Sequence, residues 1–330
     1  MYLGVDGGGT KTAFCVLDAD GTVRGEVLGP TTSPALGPGG TRTAAKVLRE
    51  GVAEVCRRAG TDAGRLTYAY LGLPGHGESA ALTRALDDLP ARVLGHGRYA
   101  VGNDMVCGWA GSLGLADGVN VISGTGSMAY GRLRGRQART GGWGELFGDE
   151  GSAHWIAVRG LNLFTRMSDG RLPAGPLLGV LRERFALEAD LDLVDAVLLA
   201  GLDRTAVAAL SRCVSRAADE GDPACADVLD EAGRELAALV RAAREALGAA
   251  AAEPLPVSWS GGVFTVPRVR AAFGAALTAS PEPYALHPPR TTPVLGAALV
   301  AARLAGAPLS AEAVDRLPAP AGPAGDEARP

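Results

Sequence analysis

One strand–turn–strand arrangement occurs twice in this chain and constrains its fold more than any other feature. Near the start, the apolar run Met1-Tyr2-Leu3-Gly4-Val5 leads into Asp6-Gly7-Gly8-Gly9-Thr10, and an alternating stretch at 13–17 follows. Far downstream, Val119-Asn120-Val121-Ile122 leads into Ser123-Gly124-Thr125-Gly126-Ser127, then Met128-Ala129-Tyr130. Glycines at such turns let backbone N–H groups approach an anion that any β-carbon would hold off, and the Thr and Ser hydroxyls add donors. One Gly-rich turn alone reads best as an ordinary hairpin. The repetition, with an acid in the first copy, predicts two similar lobes with a nucleotide between them.

Neither copy is a Walker loop, because Thr10-Lys11 stands where Lys then Ser/Thr is required. Neither continues into G-x-G-x-x-G before a helix, which argues against a Rossmann dinucleotide site.

A chain of 330 residues is expected to form two domains, since single cores stop growing near ~250–300 residues. Hydrophobic residues at 47% suffice for two cores, and a net charge of −4 without a basic stretch argues against a nucleic-acid partner. No apolar run approaches the ~18 residues of a membrane span. The chain opens directly into a strand-like run, without a basic, signal-type leader. Cys15, Cys56, Cys107, Cys213 and Cys225 are scattered without a CxxC pair, which reads as reduced, buried thiols in the cytoplasm. The histidines, His76, His96, His154 and His287, lack metal-ligand spacing.

After the first hairpin, 23–28 predicts a third strand and 29–40 (GPTTSPALGPGG) a polar loop. Ala44, Val47, Leu48, Val52 and Val55 fall at helical spacing within 41–59. Strands at 66–73 and 98–101 alternate with helices at 79–89 and 105–113, an α/β pattern. The plan restarts at Asp117, giving expected lobes of 1–115 and 116–292. Helices dominate 152–252, a strand at 257–259 ends in Ser260-Gly261-Gly262, and an apolar helix spans 292–304. The Pro/Ala-rich tail at 306–330 is expected to be poorly ordered.

Asp104 follows a strand and precedes a helix, in the crevice outside the strand ends. There it would accept a proton from a hydroxyl attacking a γ-phosphate, or simply cap the helix. Asp6 beside a polyphosphate implies Mg²⁺ between them, through water; a self-capping Asp turn is the alternative. Lys11 fits phosphate neutralisation or a solvated strand position. The segment 141–152 (GGWGELFGDEGS) combines acids and an aromatic face, which suits a sugar, while Asp149 or Glu150 would equally suit a helix N-terminus. Thr31, Thr32 and Ser33 offer hydroxyls in the polar loop, or are merely exposed. Ser260-Gly261-Gly262-Val263-Phe264 would let an adenosine lie on the backbone, or is a tight strand-to-helix turn.

Together, DGGGTKT, GND at 102–104, SGTGS, GGWGELFGDEGSAHWIA and SGGVF resemble the N-acetylglucosamine kinases of the BadF/BadG/BcrA/BcrD-type group, within the sugar kinase, Hsp70 and actin superfamily. The resemblance covers about residues 1 to 305. It implies two duplicated RNase H-like (actin-like ATPase) domains around an ATP cleft, with a helix at 293–305 returning to the first lobe. It implies ATP-dependent phosphorylation of an amino sugar at its 6-hydroxyl, with Mg²⁺. Asp104 would be the base, Asp6 the magnesium-side acid through water, and Asn103 a neighbour of the sugar. Gly8, Gly9, Thr10 and Lys11, with Gly124, Thr125, Gly126 and Ser127, would contact phosphate. Gly142, Trp143, Gly144 and Asp149, with Thr32 and Ser33, would contact sugar. Ala218 and Ser260, Gly261, Gly262, Val263 and Phe264 would line the adenosine pocket.

Two departures stand out. Ser33-Pro34 stands where the family usually has an asparagine, and it cannot make the same reach. Gly75-His76-Gly77-Glu78 is not the family's form, leaving His76 as a substrate contact or a plain loop residue. N-acetylglucosamine ranks first, then glucosamine or another hexose. An iron–sulfur ATPase activator of a radical dehydratase needs cysteines near the second glycine turn; 119–127 has none and Cys107 comes too early. A non-enzymatic actin-like ATP-binding module would need insertions for which the chain lacks room. A homodimer through the second lobe is left open.

Overall fold

A computed structural model describes residues 1–32 and 40–320. Ser33 lies outside the described residues. The alternating stretches near the start form an antiparallel meander of β1 (Tyr2–Gly7), β2 (Lys11–Leu17) and β3 (Val23–Pro30), with Asp6 opposite Ala13 and Gly7 opposite Thr12. The chain then crosses over through α1 (Gly40–Arg58) to β4 (Tyr68–Gly72), which lies parallel to β1. The α1 stripe Ala44, Val47, Leu48, Val52 and Val55 is buried on the sheet beside Phe14, Val16 and Leu71, as its 3.6-residue spacing predicts.

The single helix expected at 79–89 is two, α2 (Ala80–Asp87) and α3 (Leu89–Leu94). Pro90 accounts for the break, since it cannot supply the N–H that α2 would need to continue. Next come β5 (Tyr99–Gly102), parallel to β4, and α4 (Asp104–Leu113).

The second half runs β6 (Gly118–Ser123), β7 (Ser127–Leu133) and β8 (Arg136–Gly141). It continues through helices α5 (Ala153–Ser168), α6 (Pro176–Phe185), α7 (Asp192–Val194), α8 (Arg204–Ala209), α9 (Ser211–Asp219) and α10 (Pro223–Leu247). Then follow β9 (Leu255–Ser260), α11 (Pro267–Thr278) and β10 (Tyr284–Leu286). The first sheet is ordered β3-β2-β1-β4-β5 and the second β10-β9-β6-β7-β8. Read from its other edge, the second repeats the first strand for strand. The duplication therefore extends from the glycine turns to whole RNase H-like domains of an α/β fold.

The chain divides into compact units of 1–120 with 288–330, and 121–287. The division thus falls inside β6, a few residues beyond the expected 115/116. The return to the first unit also starts before residue 293, because the N–H groups of Arg290 and Thr291 bond the carbonyls of Ser112 and Gly111. There α12 (Pro293–Leu304) packs backbone against backbone on α4. A Cβ on Gly296 would sit 2.2 Å from the Gly111 nitrogen and 2.4 Å from the Cys107 carbonyl oxygen. Gly296→Ala is therefore expected to destabilise the protein by about 1–3 kcal/mol through overpacking. The urea midpoint should fall at constant m-value; a shift below about 0.5 kcal/mol would mean the two helices separate freely.

Contrary to the expected loose tail, α13 (Ala311–Asp315) forms within it. Val314 and Leu317 bury against Cys15, Leu17, Leu295 and Leu299, so few but correctly spaced apolar residues suffice to dock this segment. All five cysteines are free and buried. Among the described residues no helix is long and apolar enough to cross a membrane.

Candidate functional site

In the first unit, β1, β4 and β5 end along one edge, with Asp6 paired to Gly72 and Gly72 to Gly102. The carboxyl ends of parallel strands open a crevice where ligands bind, and the next residues are Asn103 and Asp104. The cap of α4 is Asn103, whose side chain accepts from the Met105 N–H at 3.1 Å. That excludes capping as the role of Asp104, which is the first residue of the helix. Asn103 is buried, and its amide also donates to the His76 carbonyl at 3.0 Å. Both ends of the Asn103 amide thus make bonds inside the protein and fix the start of the helix that carries Asp104. The His76 ring likewise pairs with Asp87 at 2.9 Å, which makes it a loop anchor.

Asp6 and Asp104 are electrostatic neighbours. Burial, and then the negative charge of Asp104, push the Asp6 carboxyl up to about 7, with Cys107 and Lys11 pulling the other way. Cys107 is fully buried, its thiol pushed well up by burial and by the same two acids. Gly72 must lack a side chain here, since its Cβ would sit 2.2 Å from the Cys107 Sγ. An acid raised by a second acid beside it is a position where a cation is favoured. Among the described residues no cluster of three or more His, Cys, Asp or Glu could hold a metal. The pair instead fits a magnesium ion, which is bound by one or two carboxylates and otherwise keeps water and substrate phosphate as ligands.

The first glycine turn closes with the Gly8 N–H bonded to the Lys11 carbonyl at 2.8 Å. The Thr31 hydroxyl donates to the Gly8 carbonyl at 2.7 Å. Thr32, expected among the sugar contacts or as an exposed loop residue, is buried rather than exposed; it accepts from the Thr12 hydroxyl at 3.5 Å and would lie 2.6 Å from a Cβ on Gly7. It supports the turn from beneath. Gly9, Thr10 and Lys11 are exposed. Gly9 has an ordinary φ, and its Cβ would meet nothing among the described residues. Packing among the described residues does not require glycine there.

In the second unit, residues 124–127 are knitted to the segment that follows β8. The Gly124 N–H bonds the Gly126 carbonyl at 2.9 Å, and the Ala153 N–H bonds the Gly124 carbonyl at 2.8 Å. The Ser127 hydroxyl donates to the Glu150 carbonyl at 2.6 Å, and the Ser127 N–H to Asp149 Oδ1 at 3.3 Å. Gly124, like Gly9, has an ordinary φ and open space where a Cβ would stand; Thr125 beside it is half-buried.

Asp149 is neither a helix cap nor turned to solvent. Ser152 caps α5, while Asp149 is 2% exposed, adopts a left-handed φ of 59°, and pairs with Arg204. Arg204 carries no local sequence signal and was not among the expected site residues. By contrast Trp143, between Gly142 and Gly144, is 74% exposed, with Leu146 and Phe147 also exposed. Trp143 therefore offers a free aromatic face.

Gly261 follows β9 with a φ of 99°, and a Cβ on it would sit 2.2 Å from the Ser123 carbonyl oxygen. Tight packing thus explains this glycine, but Gly262 has open space. Val263 and Phe264 are buried, Phe264 edge-on to Phe273 at 5.3 Å. A cavity of ≈ 380 Å³ is lined by Ser215, Ala218 and Asp219 of α9 and by Thr265, Pro267 and Arg268. Ala218 lies on its wall. Ser260 to Phe264 lead into it without lining it, and the lining residues beyond Ala218 are not apparent from sequence.

The profile of the BadF/BadG/BcrA/BcrD ATPase family matches residues 3–301. An N-acetylmuramic acid/N-acetylglucosamine kinase of Clostridium acetobutylicum is 32% identical over 248 residues, covering 74% of this chain and 79% of that protein. An N-acetyl-D-glucosamine kinase of Dictyostelium discoideum is 29% identical over 274 residues, covering 79% and 85%. A Chromobacterium violaceum structure, provisionally named an N-acetylglucosamine kinase, aligns with TM-score 0.72 and 24% identity over 91% of this chain and 98% of its own. At that identity the structural likeness speaks for the fold.

Proposed function

Because the chain belongs to the BadF/BadG/BcrA/BcrD ATPase family, we propose that it is a sugar kinase transferring the γ-phosphoryl group of ATP to the 6-hydroxyl of an N-acetylated amino sugar, N-acetylglucosamine first. The observation that carries this reading is Asp104, placed at the carboxyl edge of the sheet and released from capping by Asn103. Asp104 takes the hydroxyl proton as the sugar oxygen bonds to the γ-phosphorus. The bond to the β–γ bridging oxygen breaks, and its electron pair leaves with ADP. Phosphoryl transfer demands mainly positioning and charge stabilisation from the remaining residues.

In the first unit Gly8, Gly9, Thr10 and Lys11 offer backbone donors, a hydroxyl and a cation to phosphate. Asp6 would hold magnesium through water, and the ion supplies neutralisation of phosphate charge. In the second unit Gly124, Thr125, Gly126 and Ser127 offer the matching donors. The cavity beside Ala218 takes the adenosine, and Trp143 packs on a C–H face of the sugar. Five buried, free cysteines suit a reducing compartment, and we place the enzyme in the cytoplasm.

A coupled assay of ADP release against N-acetylglucosamine, N-acetylmuramic acid, glucosamine and glucose tests this. The expected result is highest turnover with an N-acetylated amino sugar, with ³¹P-coupled NMR placing the new ester at carbon 6. If no sugar raises ADP release above background, the kinase reading fails.

A further inference from the structure

A charge buried in protein has to be paired, and Asp149 is paired unusually. One carboxylate oxygen accepts the Ser127 N–H at 3.3 Å and the other is held by Arg204, the first residue of α8. Arg204 also turns its Nε to the Glu145 carboxylate at 3.1 Å. One planar guanidinium therefore clasps two acids from the same glycine-rich segment, a use of its fork that a lysine cannot reproduce. The glycine turn is packed directly on this clasp. A Cβ on Gly126 would lie 2.6 Å from Arg204 Nη2 and 2.8 Å from Asp149 Oδ2, although the Gly126 φ is ordinary. Gly126 is thus glycine to make room for the ion pair. The backbone of the segment is left-handed at Gly141, Gly142, Gly144, Asp149 and Gly151, a state that for Asp149 persists only while its surroundings enforce it.

We propose that Arg204 is a positioning residue that couples the sugar-binding segment 141–152 to the phosphate-binding turn 124–127. The identity of the two ligands rests on the kinase reading above; the coupling path rests on the geometry alone. Glu145 is exposed, two residues along the chain from Trp143, and shares the Arg204 guanidinium with Asp149. A sugar seated on Trp143 that engages Glu145 concentrates the guanidinium on Asp149. Asp149 then fixes the Ser127 N–H more firmly, and the turn is preorganised for phosphate. By linkage, phosphate on the turn strengthens sugar binding by the same factor.

The test measures the dissociation constant of a non-hydrolysable ATP analogue by calorimetry, with and without saturating N-acetylglucosamine, in the full chain. In the wild type the sugar is expected to tighten analogue binding by about 5- to 100-fold. Arg204→Ala should reduce that factor below about twofold, and Arg204→Lys should restore only part of it. Wild-type coupling in Arg204→Ala overturns the proposal, as does a wild type that binds both ligands without coupling. A readout without ligands separates this from the kinase reading: amide exchange at Gly126 and Ser127 should quicken about tenfold in Arg204→Ala while α10 is unchanged. Unchanged exchange at the turn overturns the coupling path, whichever sugar binds. Where Arg204→Ala fails to fold because Asp149 is stranded, the double variant Asp149→Asn/Arg204→Ala removes the buried charge. It should fold and lack coupling, and recovered coupling in it overturns the proposal.

Discussion

Asp104→Asn is expected to lower sugar-dependent turnover by about 100- to 10,000-fold, the usual worth of a positioned general base. The substitution keeps the shape of the side chain and removes its charge and its capacity to take a proton. It leaves the helix start intact, because the cap belongs to Asn103 and not to Asp104. It also withdraws a negative charge that raises the Asp6 carboxyl, so the variant should melt no lower than the wild type. Sugar and nucleotide affinities, read by calorimetry, should change far less than kcat. Turnover within about tenfold of the wild type would remove Asp104 from the role of base. Asn103→Ala gives a useful contrast, since it disturbs the cap and the His76 anchor and so should lower stability as well as kcat.

The duplicated architecture was legible because it is written in local patterns: alternating apolar strands, glycine turns, and a helix stripe at 44–55. Each copy announces its own first three strands, and the shared sheet order follows once the crossovers are counted. What stayed hidden depends on neighbours remote in sequence or on a shift of one residue. Asn and Asp cap helices equally well, so composition cannot choose between Asn103 and Asp104. Arg204 meets Asp149 across a separation of 55 residues, and nothing local marks it among the chain's many arginines. Thr32 reads as a loop hydroxyl until the turn at Gly7 is seen to rest on it. The docking of α13 depends on Cys15 and Leu17, at the far end of the chain. Trp143 differs in kind, because its exposure is itself the signal: an aromatic ring left uncovered between two glycines has not been recruited to the core.

The Asp6 carboxyl makes a prediction about stability whose sign can be worked out. Its ordinary value of 3.8 is raised to about 7 in the folded protein, first by burial and then by Asp104. Between those values the native state keeps a proton that the unfolded chain has lost, so stability must fall as pH rises through the window and level off above it. At about 1.4 kcal/mol per unit, the loss between pH 5 and pH 7 is about 2–3 kcal/mol. Acids that act in the opposite sense have ordinary values of 4.5 or below, beneath the interval from pH 5 to pH 7. Hydrogen bonds from Arg57 hold Glu54, and those from Arg182 hold Asp190, at about 2. The stability they confer is lost only as pH falls through the range below their ordinary values. Asp6→Asn removes the titrating group, so the difference in urea midpoint between wild type and variant isolates it, and contributions such as that of His154 cancel. In metal-free buffer the variant should be the more stable of the two at pH 8, and the gap should close towards pH 5. Added magnesium should stabilise the wild type at pH 8 and leave the variant unmoved, because only the ionised acid attracts the cation. A wild-type–variant difference that is flat from pH 5 to 8 would mean water reaches Asp6 freely, and that the acid pair carries no excess charge for a metal to relieve.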